Sequence, residues 1–467
     1  MRTQPVDKVQ VEARNIVYKE SHIQEEAKAE LLSDELQQWI KKIKSTQIEL
    51  EYCTKSSFGC LNEEVVSGAK SYEPYPDTER ESFSYKGGKD DRKRLHGSGS
   101  LRFSQDGSTM AGTWSHGRRE GQIKIETNRK GILRIEGEYC KGKMNGKVKI
   151  KFENNTWLEG FFKNGVVHGF CRYFDIEDNL TFAGMHKNGT PTGTCWKFHP
   201  DGGCVVGKVD IDGKLTGSDV SYIYPDYMTC LFGSFRDLQL VSAQQCQIIK
   251  VITESGCIKV PKFSKPKGRL YKREISTFDF VTSSPTLRDP YEESAVEVRQ
   301  SKLPGAEYGI FAKRFIKEET IVAFYQGIKL PPNYKEEESW EGNAYKIFDP
   351  SNSPEGTLDI REEHRSISAY SASLAHKTNH SFNPNSQFHV FDHPRWGLVP
   401  CIVSTQDIQE GGEIFVRYGY DLSYCPEWYA EVWERGRIWT GFDKLLLCFI
   451  YRIQRRRRTL NTSEIFL

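Results

Sequence analysis

The sequence lacks the long apolar runs and the one-sided charge that mark several classes of protein. No apolar segment approaches the roughly 20 residues that a membrane-spanning helix needs. Residues 1–25 are largely polar, so we expect neither a transmembrane segment nor a secretory signal. The net charge of +2 gives no overall basis for nucleic-acid binding. The 467 residues, 37% of them hydrophobic, are instead typical of two or three soluble globular domains.

The sequence also lacks paired cysteines. Its 12 cysteines are scattered, and none belongs to a Cys-x-x-Cys pair. A zinc knuckle is therefore not expected. Because no secretory signal is expected either, we predict that the cysteines are free thiols in a reducing compartment.

An amphipathic helix is predicted near the start of the chain. Residues 14–52 contain neither proline nor glycine and carry apolar residues at steps of three and four. The stripe consists of Leu32, Leu36, Trp39, Ile40 and Ile43. We expect this helix to dock on the body of the protein or on a partner. Residues 53–84 are mixed and polar, which is typical of a linker.

Glycines recur at a nearly fixed spacing between residues 85 and 242. Seven of them open successive units at steps of 23 to 26 residues, namely Gly88, Gly112, Gly137, Gly160, Gly184, Gly207 and Gly233. In six units a second glycine follows nine or ten residues later. Alternating segments such as Lys147–Phe152 lie between the glycines. Alternation with glycine turns predicts β-hairpins, and the fixed period predicts that they stack into one elongated antiparallel sheet.

Two segments follow neither pattern. Residues 243–292 contain prolines at 261, 266, 285 and 290, and we predict an irregular connector there. Residues 435–467 combine an apolar stretch with the basic run Arg455–Arg458, which is compatible with a membrane, nucleic acid, an import receptor or a solvated tail. The predicted domain limits are therefore 1–84, 85–242, 243–292, 293–434 and 435–467.

Several short motifs lie between residues 293 and 434. A strand, a glycine-bearing turn and a second strand are predicted over 296–312, and a buried strand over 320–327 carries Tyr325. Further along the chain are Asn379-His380-Ser381-Phe382, then Arg417-Tyr418-Gly419-Tyr420-Asp421, and then an aromatic helix containing Trp428.

Together these motifs resemble the SET domain of protein-lysine methyltransferases, and the glycine array resembles MORN repeats. The resemblance implies a mainly β protein, in which an elongated antiparallel MORN-repeat sheet precedes a SET domain with a β-clip and a knot-like active site. It also implies a lysine N-methyltransferase that uses S-adenosylmethionine. We expect no metal site, because His380 has no cysteine or carboxylate at ligand spacing. In the absence of a cysteine-rich zinc segment, the Trp428 helix is the expected lid.

The resemblance assigns roles to individual residues. Tyr418 is the expected catalytic tyrosine, and Tyr420 and Tyr325 are expected to shape the lysine tunnel. His380 is expected to act through its backbone and its packing. Donor contacts are expected at Ala306, Glu307, Tyr308, Gly342, Asn343, Asn379, His380 and Trp428. Substrate contacts are expected at Tyr325, His376, Phe388, Pro400 and Tyr418.

The reaction explains why such a site needs aromatic residues. Methyl transfer from a sulfonium requires a neutral lysine amine, although the reference pKa of lysine is about 10.4. A narrow apolar tunnel disfavours the ammonium form and so lowers that pKa. Tyrosine hydroxyls orient the amine, and orientation supplies much of the barrier reduction.

The order of repeat array and SET domain resembles an animal subtype that monomethylates histone H3 on its fourth residue and modifies non-histone proteins. This implies residence in the nucleus, on the chromosome, and in the cytoplasm. We expect a monomer that reaches chromatin through histones rather than by reading DNA. Tyr308, Phe388 and Pro400 depart from the subtype, which has an acidic residue, a tyrosine and a lysine there. Since Phe388 leaves room for a methyl group, we predict reaction beyond monomethyl-lysine.

Two alternatives remain open at this point. The repeats and the tail also fit a MORN-repeat scaffold or a lipid-binding protein that carries an inactive SET-like module. Retention of Asn379, His380 and Tyr418 favours the enzyme.

Overall fold

The computed structural model describes residues 28–45, 82–331, 345–352, 356–420, 422 and 425–437. The chain forms two compact units, residues 1–274 and 275–467. The first unit contains helix α1 (28–44) and strands β1 (Phe83–Lys89), β2 (Leu95–Phe103), β3 (Thr109–Ser115), β4 (Arg118–Glu126), β5 (Ile132–Cys140), β6 (Lys143–Phe152), β7 (Trp157–Lys163), β8 (Val166–Phe174), β9 (Leu180–Lys187), β10 (Thr190–Phe198), β11 (Cys204–Lys208), β12 (Gly217–Ile223), β13 (Thr229–Arg236), β14 (Gln239–Glu254), β15 (Ile258–Phe263) and β16 (Lys267–Lys272).

The predicted antiparallel array is confirmed. Strands β1 to β15 pair in sequence order within one 16-stranded sheet, and β16 pairs with β14. The repeat glycines allow neighbouring strands to approach closely. At Gly137, for example, an added Cβ would lie 2.5 Å from the Lys147 carbonyl oxygen and 2.6 Å from the Val148 Cα. Only glycine fits such a contact without displacing backbone.

The prediction of an irregular connector over residues 243–292 is wrong for its first part. Strand β14 extends to Glu254, and β15 and β16 follow before residue 273. Pro261 is compatible with β15 because this strand pairs only with β14 and so forms an edge, where a missing amide donor costs little. The proposed domain limits themselves stay predictions.

Helix α1 packs on the sheet of its own unit, as its apolar stripe suggested. Leu36, Trp39, Ile40 and Ile43 are buried in a cluster with apolar residues of β7 to β15. The Trp39 indole donates to the Cys257 carbonyl at 3.0 Å, which fixes the position of the helix. The remainder of the predicted helix, residues 14–27 and 46–52, lies outside the described residues.

A buried arginine joins the end of α1 to the sheet. The Arg172 guanidinium donates to the carbonyls of Ile43 at 2.6 Å and Ser45 at 3.0 Å. It also pairs with the Glu159 carboxylate at 2.7 Å. Cations near a helix C-terminus stabilise the unpaired carbonyls of its last turn. On its other oxygen, Glu159 meets the half-exposed Lys147 at 3.0 Å.

The second unit contains short strands and three-residue 3₁₀ helices. Its elements are α2 (Pro290–Ala295), β17 (Val296–Gln300), β18 (Tyr308–Ala312), β19 (Ile321–Phe324), β20 (Ile328–Lys329), β21 (Ile347–Phe348), β22 (Thr357–Asp359), β23 (Asn379–His380), β24 (Ser386–His393), β25 (Gly397–Ser404), β26 (Phe415–Val416) and α3 (Glu427–Arg437), with 3₁₀ turns at Pro350–Asn352, Glu362–His364 and Ala375–Lys377. Four sheets form: β17 pairs with β18, β25 lies between β19 and β24, β22 lies between β20 and β21, and β23 pairs with β26.

The core of this unit lies around Phe324. Its ring lies 4.9 Å from Phe391 and 4.6 Å from His393, measured between centroids. Nε2 of His393 donates to the carboxylate of fully buried Asp289 at 3.0 Å, since its Nδ1 accepts from the Arg395 amide, and Asp289 also caps α2. Within the described residues, no helix has the length and apolar character required to cross a membrane.

We predict that the two ion pairs of Glu159 contribute very differently to stability. Arg172→Ala leaves the buried Glu159 carboxylate with only the half-exposed Lys147 and removes the cap of α1, so the free energy of unfolding should fall by about 3–5 kcal/mol. Lys147→Ala removes a half-exposed partner and should cost less than about 1 kcal/mol. Urea unfolding of the two variants checks this, and equal losses would contradict it.

Candidate active site

Two adjacent segments form the centre of the site. Strand β23 runs parallel to β26, and Asn379 is opposite Phe415 while His380 is opposite Val416. The Ser381 amide extends the pairing by donating to the Val416 carbonyl at 3.0 Å. Strand β23 lies within the Asn379–Phe382 motif and β26 directly precedes the motif that begins at Arg417, so the fold brings the two motifs next to each other.

The Glu413 carboxylate connects three parts of this centre. Its Oε1 accepts from the side-chain nitrogen Nδ2 of Asn379 at 2.9 Å and from the Ser301 hydroxyl at 2.7 Å. The same Asn379 nitrogen also donates to the Tyr308 carbonyl at 3.0 Å. The backbone carbonyl of Glu413 accepts from the side-chain nitrogen Nδ2 of Asn385 at 2.8 Å. The orientation of the Asn379 side chain is therefore fixed by two acceptors.

Gly309 makes this arrangement possible. A Cβ at this position would lie 2.2 Å from Oε1 of Glu413 and 2.8 Å from Nδ2 of Asn379. Any other residue would therefore displace the hydrogen bond between the two side chains. The glycine that follows the predicted turn is required for this close approach.

His380 links the Asn-His segment to Tyr418. Its Nδ1 accepts from the Tyr418 amide at 2.9 Å. Burial lowers the pKa of His380 to about 4, and the nearby charge of Arg417 adds to the effect. The imidazole is therefore neutral near pH 7, which suits an acceptor and excludes a role as a cationic acid.

The Tyr418 hydroxyl donates to the Thr378 carbonyl at 2.6 Å. Burial raises the pKa of Tyr418 above its ordinary value, so the group stays protonated. The Tyr420 ring lies 5.8 Å from that of Tyr418 and nearly perpendicular to it. The two tyrosines thus meet, although regular strand structure ends at Val416.

Helix α3 contributes an aromatic wall, as its sequence predicted. The Tyr429 ring is buried 4.9 Å from the rings of both His380 and Phe382. Trp428 lies 5.8 Å from His380 and is 47% exposed. An exposed indole beside a buried aromatic cluster offers a free face for stacking.

Tyr325 is a further buried tyrosine near Tyr418. Tyr325 follows β19 and is buried, and its hydroxyl donates to the Tyr345 carbonyl. Burial raises its pKa well above the usual value. The His376 ring lies 6.4 Å from the rings of Tyr325 and Tyr345 and 5.5 Å from that of Tyr370. Burial lowers the pKa of His376 to about 3, and Lys377 adds to the effect.

Phe388 and Pro400 belong to the sheet that carries Tyr325. The Tyr325 amide donates to the Pro400 carbonyl at 2.8 Å. Phe388 and Ala323 both lie opposite Ile402. Because directly opposed and alternate residues share a face, Tyr325, Pro400 and Phe388 lie on one side of the sheet. Pro400 is buried, and Phe388 is half-buried.

The turn expected to contact the methyl donor lies between β17 and β18. The Ala306 amide donates to the Leu303 carbonyl, and the Glu307 carbonyl accepts from Ser301, both at 3.2 Å. Tyr308 is 53% exposed, and its carbonyl is the one that Asn379 contacts. The predicted positions Gly342 and Asn343, like Asp421, lie outside the described residues.

Three residues of the site received no role from the sequence. Glu413 lies two residues before β26, and nothing in the neighbouring sequence reports its partners. Thr378 contributes only a carbonyl, which no sequence pattern reports. Tyr345 lies outside the motifs, and its carbonyl accepts from the hydroxyl of Tyr325, which is 20 residues away in the sequence.

Comparisons with known proteins agree with this architecture. Residues 307–419 match the family model for the SET domain, and residues 186–260 match the model described as histone H3 K4-specific methyltransferase SET7 N-terminal. Histone-lysine N-methyltransferase SETD7 of Halocynthia roretzi is 32% identical over 356 residues, which cover 74% of this chain and 91% of the relative.

Similarity to solved structures is partial. Polycomb Repressive Complex 2 of Chaetomium thermophilum, in an autoinhibited conformation bound to S-adenosylmethionine, is 22% identical over 31% of this chain and 17% of that chain, with a TM-score of 0.22. The same complex bound to GSK126 is 21% identical over 30% and 17% of the two chains, with a TM-score of 0.21.

The family is shown by the sequence identity to the Halocynthia roretzi relative over most of both chains, together with the two family models. The SET domain brings with it the use of S-adenosylmethionine as methyl donor. The chain therefore belongs to the SETD7 family and is an S-adenosylmethionine-dependent histone-lysine N-methyltransferase with a SET domain.

Proposed function

We propose that the enzyme methylates the fourth residue of histone H3 and lysines of non-histone proteins, with Tyr418 as the catalytic tyrosine. One observation carries the assignment of the site. The hydroxyl protons of Tyr418 and Tyr325 are both committed to backbone carbonyls, those of Thr378 and Tyr345. Each phenol oxygen therefore remains available only as a hydrogen-bond acceptor.

An acceptor is the group that a lysine nucleophile requires. The amine attacks through its lone pair, and a donor hydrogen-bonded to that lone pair would block the attack. An acceptor binds an amine N–H instead and orients the nitrogen while leaving the lone pair free. Tyr418 and Tyr325 fit this role because each hydroxyl proton is already engaged by a backbone carbonyl and is not available to the amine.

The charge of the tunnel favours the neutral amine. Burial raises the pKa of Tyr325, Tyr345 and Tyr418 and lowers that of His376 to about 3, so all four side chains are uncharged near pH 7. Burial among these uncharged side chains disfavours an ammonium, so the pKa of a bound lysine falls.

The residues of the β17–β18 turn and of the two adjacent segments fit the methyl donor. The exposed Trp428 beside His380 suits an adenine ring, and the side-chain nitrogen of Asn379 is held by Glu413 and the Tyr308 carbonyl. We assign donor contacts to Ala306, Glu307, Tyr308, Asn379, His380 and Trp428, and to Gly342 and Asn343 from sequence. Bound donor supplies an electrophilic methyl on a sulfonium, and the protein supplies orientation.

Substrate contacts are assigned to Tyr325, His376, Phe388, Pro400 and Tyr418, with Tyr420 shaping the tunnel. We further propose that the repeat sheet is a MORN array, that the protein is a monomer in the nucleus and cytoplasm, and that it reaches chromatin through histones. The acceptor geometry at Tyr418 and Tyr325 favours this enzyme over a scaffold or lipid-binding protein with an inactive SET-like module.

Removal of the Tyr418 hydroxyl should slow the chemical step. In Tyr418→Phe the ring stays but the acceptor for the amine is lost, so we expect kcat to fall by about 10- to 100-fold. The affinity for the donor should stay constant. Labelled methyl transfer to an H3 peptide, and to a peptide with arginine as its fourth residue, measures both the rate and the site.

Tyr291→Phe is the matched control. Its hydroxyl likewise donates to a carbonyl, that of Ile321 at 2.7 Å, and its ring lies near Phe324 rather than in the tunnel. This variant should lose stability and keep its kcat. Wild-type protein that labels neither histones nor the lysine peptide would contradict the proposed substrate.

The product should carry more than one methyl group. Phe388 lacks the hydroxyl that a tyrosine would place on this side of the sheet, which leaves room for a methyl on the amine. Mass spectrometry after exhaustive reaction should show dimethyl-lysine for the wild type and monomethyl-lysine for Phe388→Tyr. Only monomethyl product from the wild type would refute this assignment.

A further inference from the structure

Three consecutive backbone amides around Tyr325 are each held by a different part of the second unit. The Phe324 amide donates to Oε1 of Glu292 at 2.6 Å, and the Tyr325 amide to the Pro400 carbonyl at 2.8 Å. The Gln326 amide donates to the Ser373 hydroxyl at 3.1 Å. Tyr325 follows a strand directly, so two of these three bonds replace strand pairing with side-chain acceptors.

Glu292 contacts both segments that form the lysine end of the site. The oxygen that accepts from Phe324 also accepts from the Leu374 amide at 3.1 Å. Leu374 lies two residues before His376, and Phe324 precedes Tyr325. Glu292 is 1% exposed, although an isolated buried carboxyl group is costly. One carboxylate oxygen therefore sets the spacing between the Tyr325 and His376 segments.

Ser373 forms a second connection between the same segments. Its hydroxyl accepts from Gln326 and shares a 3.0 Å hydrogen bond with the Tyr370 hydroxyl. Tyr370 in turn lies 3.0 Å from the Gln326 carbonyl. Ser373 and Tyr370 are fully buried. Both backbone groups of Gln326 are thus satisfied by side chains of the 370–374 segment.

We propose that Glu292 and Ser373 are positioning residues that hold Tyr325 and His376 in the geometry required to orient the substrate lysine. The proposal rests on the proposed function of Tyr325 in the tunnel. Glu292 and Ser373 touch neither substrate nor donor in this account, and they act through the backbone of residues 324–326 and 374.

The donor side of the site is held independently. Asn379 is fixed by Glu413 and the Tyr308 carbonyl, and the Asn379–His380 strand pairs with Phe415 and Val416. None of these contacts involves Glu292 or Ser373. Loss of the Glu292 and Ser373 bonds should therefore impair lysine orientation while leaving donor affinity intact, a separation that a general loss of stability would not produce.

Ser373→Ala tests the proposal with little change in volume. We expect kcat for a histone H3 peptide to fall about tenfold and the calorimetric Kd for S-adenosylmethionine to stay unchanged. Amide hydrogen exchange should accelerate in residues 321–327 and not in 379–385. Ser371→Ala is the matched control, because Ser371 is also buried in this segment and its hydroxyl makes none of these bonds. It should leave all three readouts unchanged.

Variants of Glu292 provide the conservative rescue. Glu292→Gln keeps an oxygen that accepts from both amides and should retain most of the kcat, whereas Glu292→Ala should lose about a hundredfold. A Ser373→Ala protein with wild-type kcat and wild-type exchange would overturn the proposal, as would a loss of donor affinity as large as the loss of kcat.

Wild-type protein that binds donor but transfers no methyl group would instead contradict the proposed function. In that case, slow amide exchange in residues 321–327 of the wild type, accelerated in Ser373→Ala, would still show that Ser373 holds this segment.

Discussion

One carboxylate oxygen, Oε1 of Glu413, accepts from both Ser301 and Asn379 beside the parallel pair of β23 and β26. These contacts require that residue 309 be glycine, since a Cβ there would lie 2.2 Å from that oxygen. They fix Asn379, and the adjoining His380 then accepts from the Tyr418 amide. The position of Tyr418, the proposed catalytic tyrosine, therefore depends on a chain of contacts that begins at Glu413.

The second constraint concerns the direction of hydrogen bonds. Burial keeps Tyr418 and Tyr325 protonated, and their hydroxyls donate hydrogen bonds to backbone carbonyls. The phenol oxygens are left as acceptors, and in the proposed function they orient a neutral amine without engaging its lone pair. No buried acid–base pair is needed at this centre. The Asp289–His393 pair instead lies with Phe324 in the core and supports α2.

Local patterns predicted much of the fold, because a repeat glycine or an apolar helical stripe reports a contact made at that residue. The glycine period gave the hairpins, and the stripe from Leu36 to Ile43 gave α1. Strands β14 to β16 were missed because the period ends and Pro261 argues against a strand, although an edge position tolerates it. Glu413, Tyr345 and Glu292 were missed because their partners lie 20 to 112 residues away.

A crystal structure with S-adenosylhomocysteine and a histone H3 lysine peptide tests the central claim most directly. We predict that the lysine nitrogen lies within about 3.2 Å of the hydroxyl oxygens of Tyr418 and Tyr325. Both hydroxyls should still donate to the carbonyls of Thr378 and Tyr345. A lysine bound away from these oxygens, or a tyrosine hydroxyl turned to donate to the amine, would contradict the account.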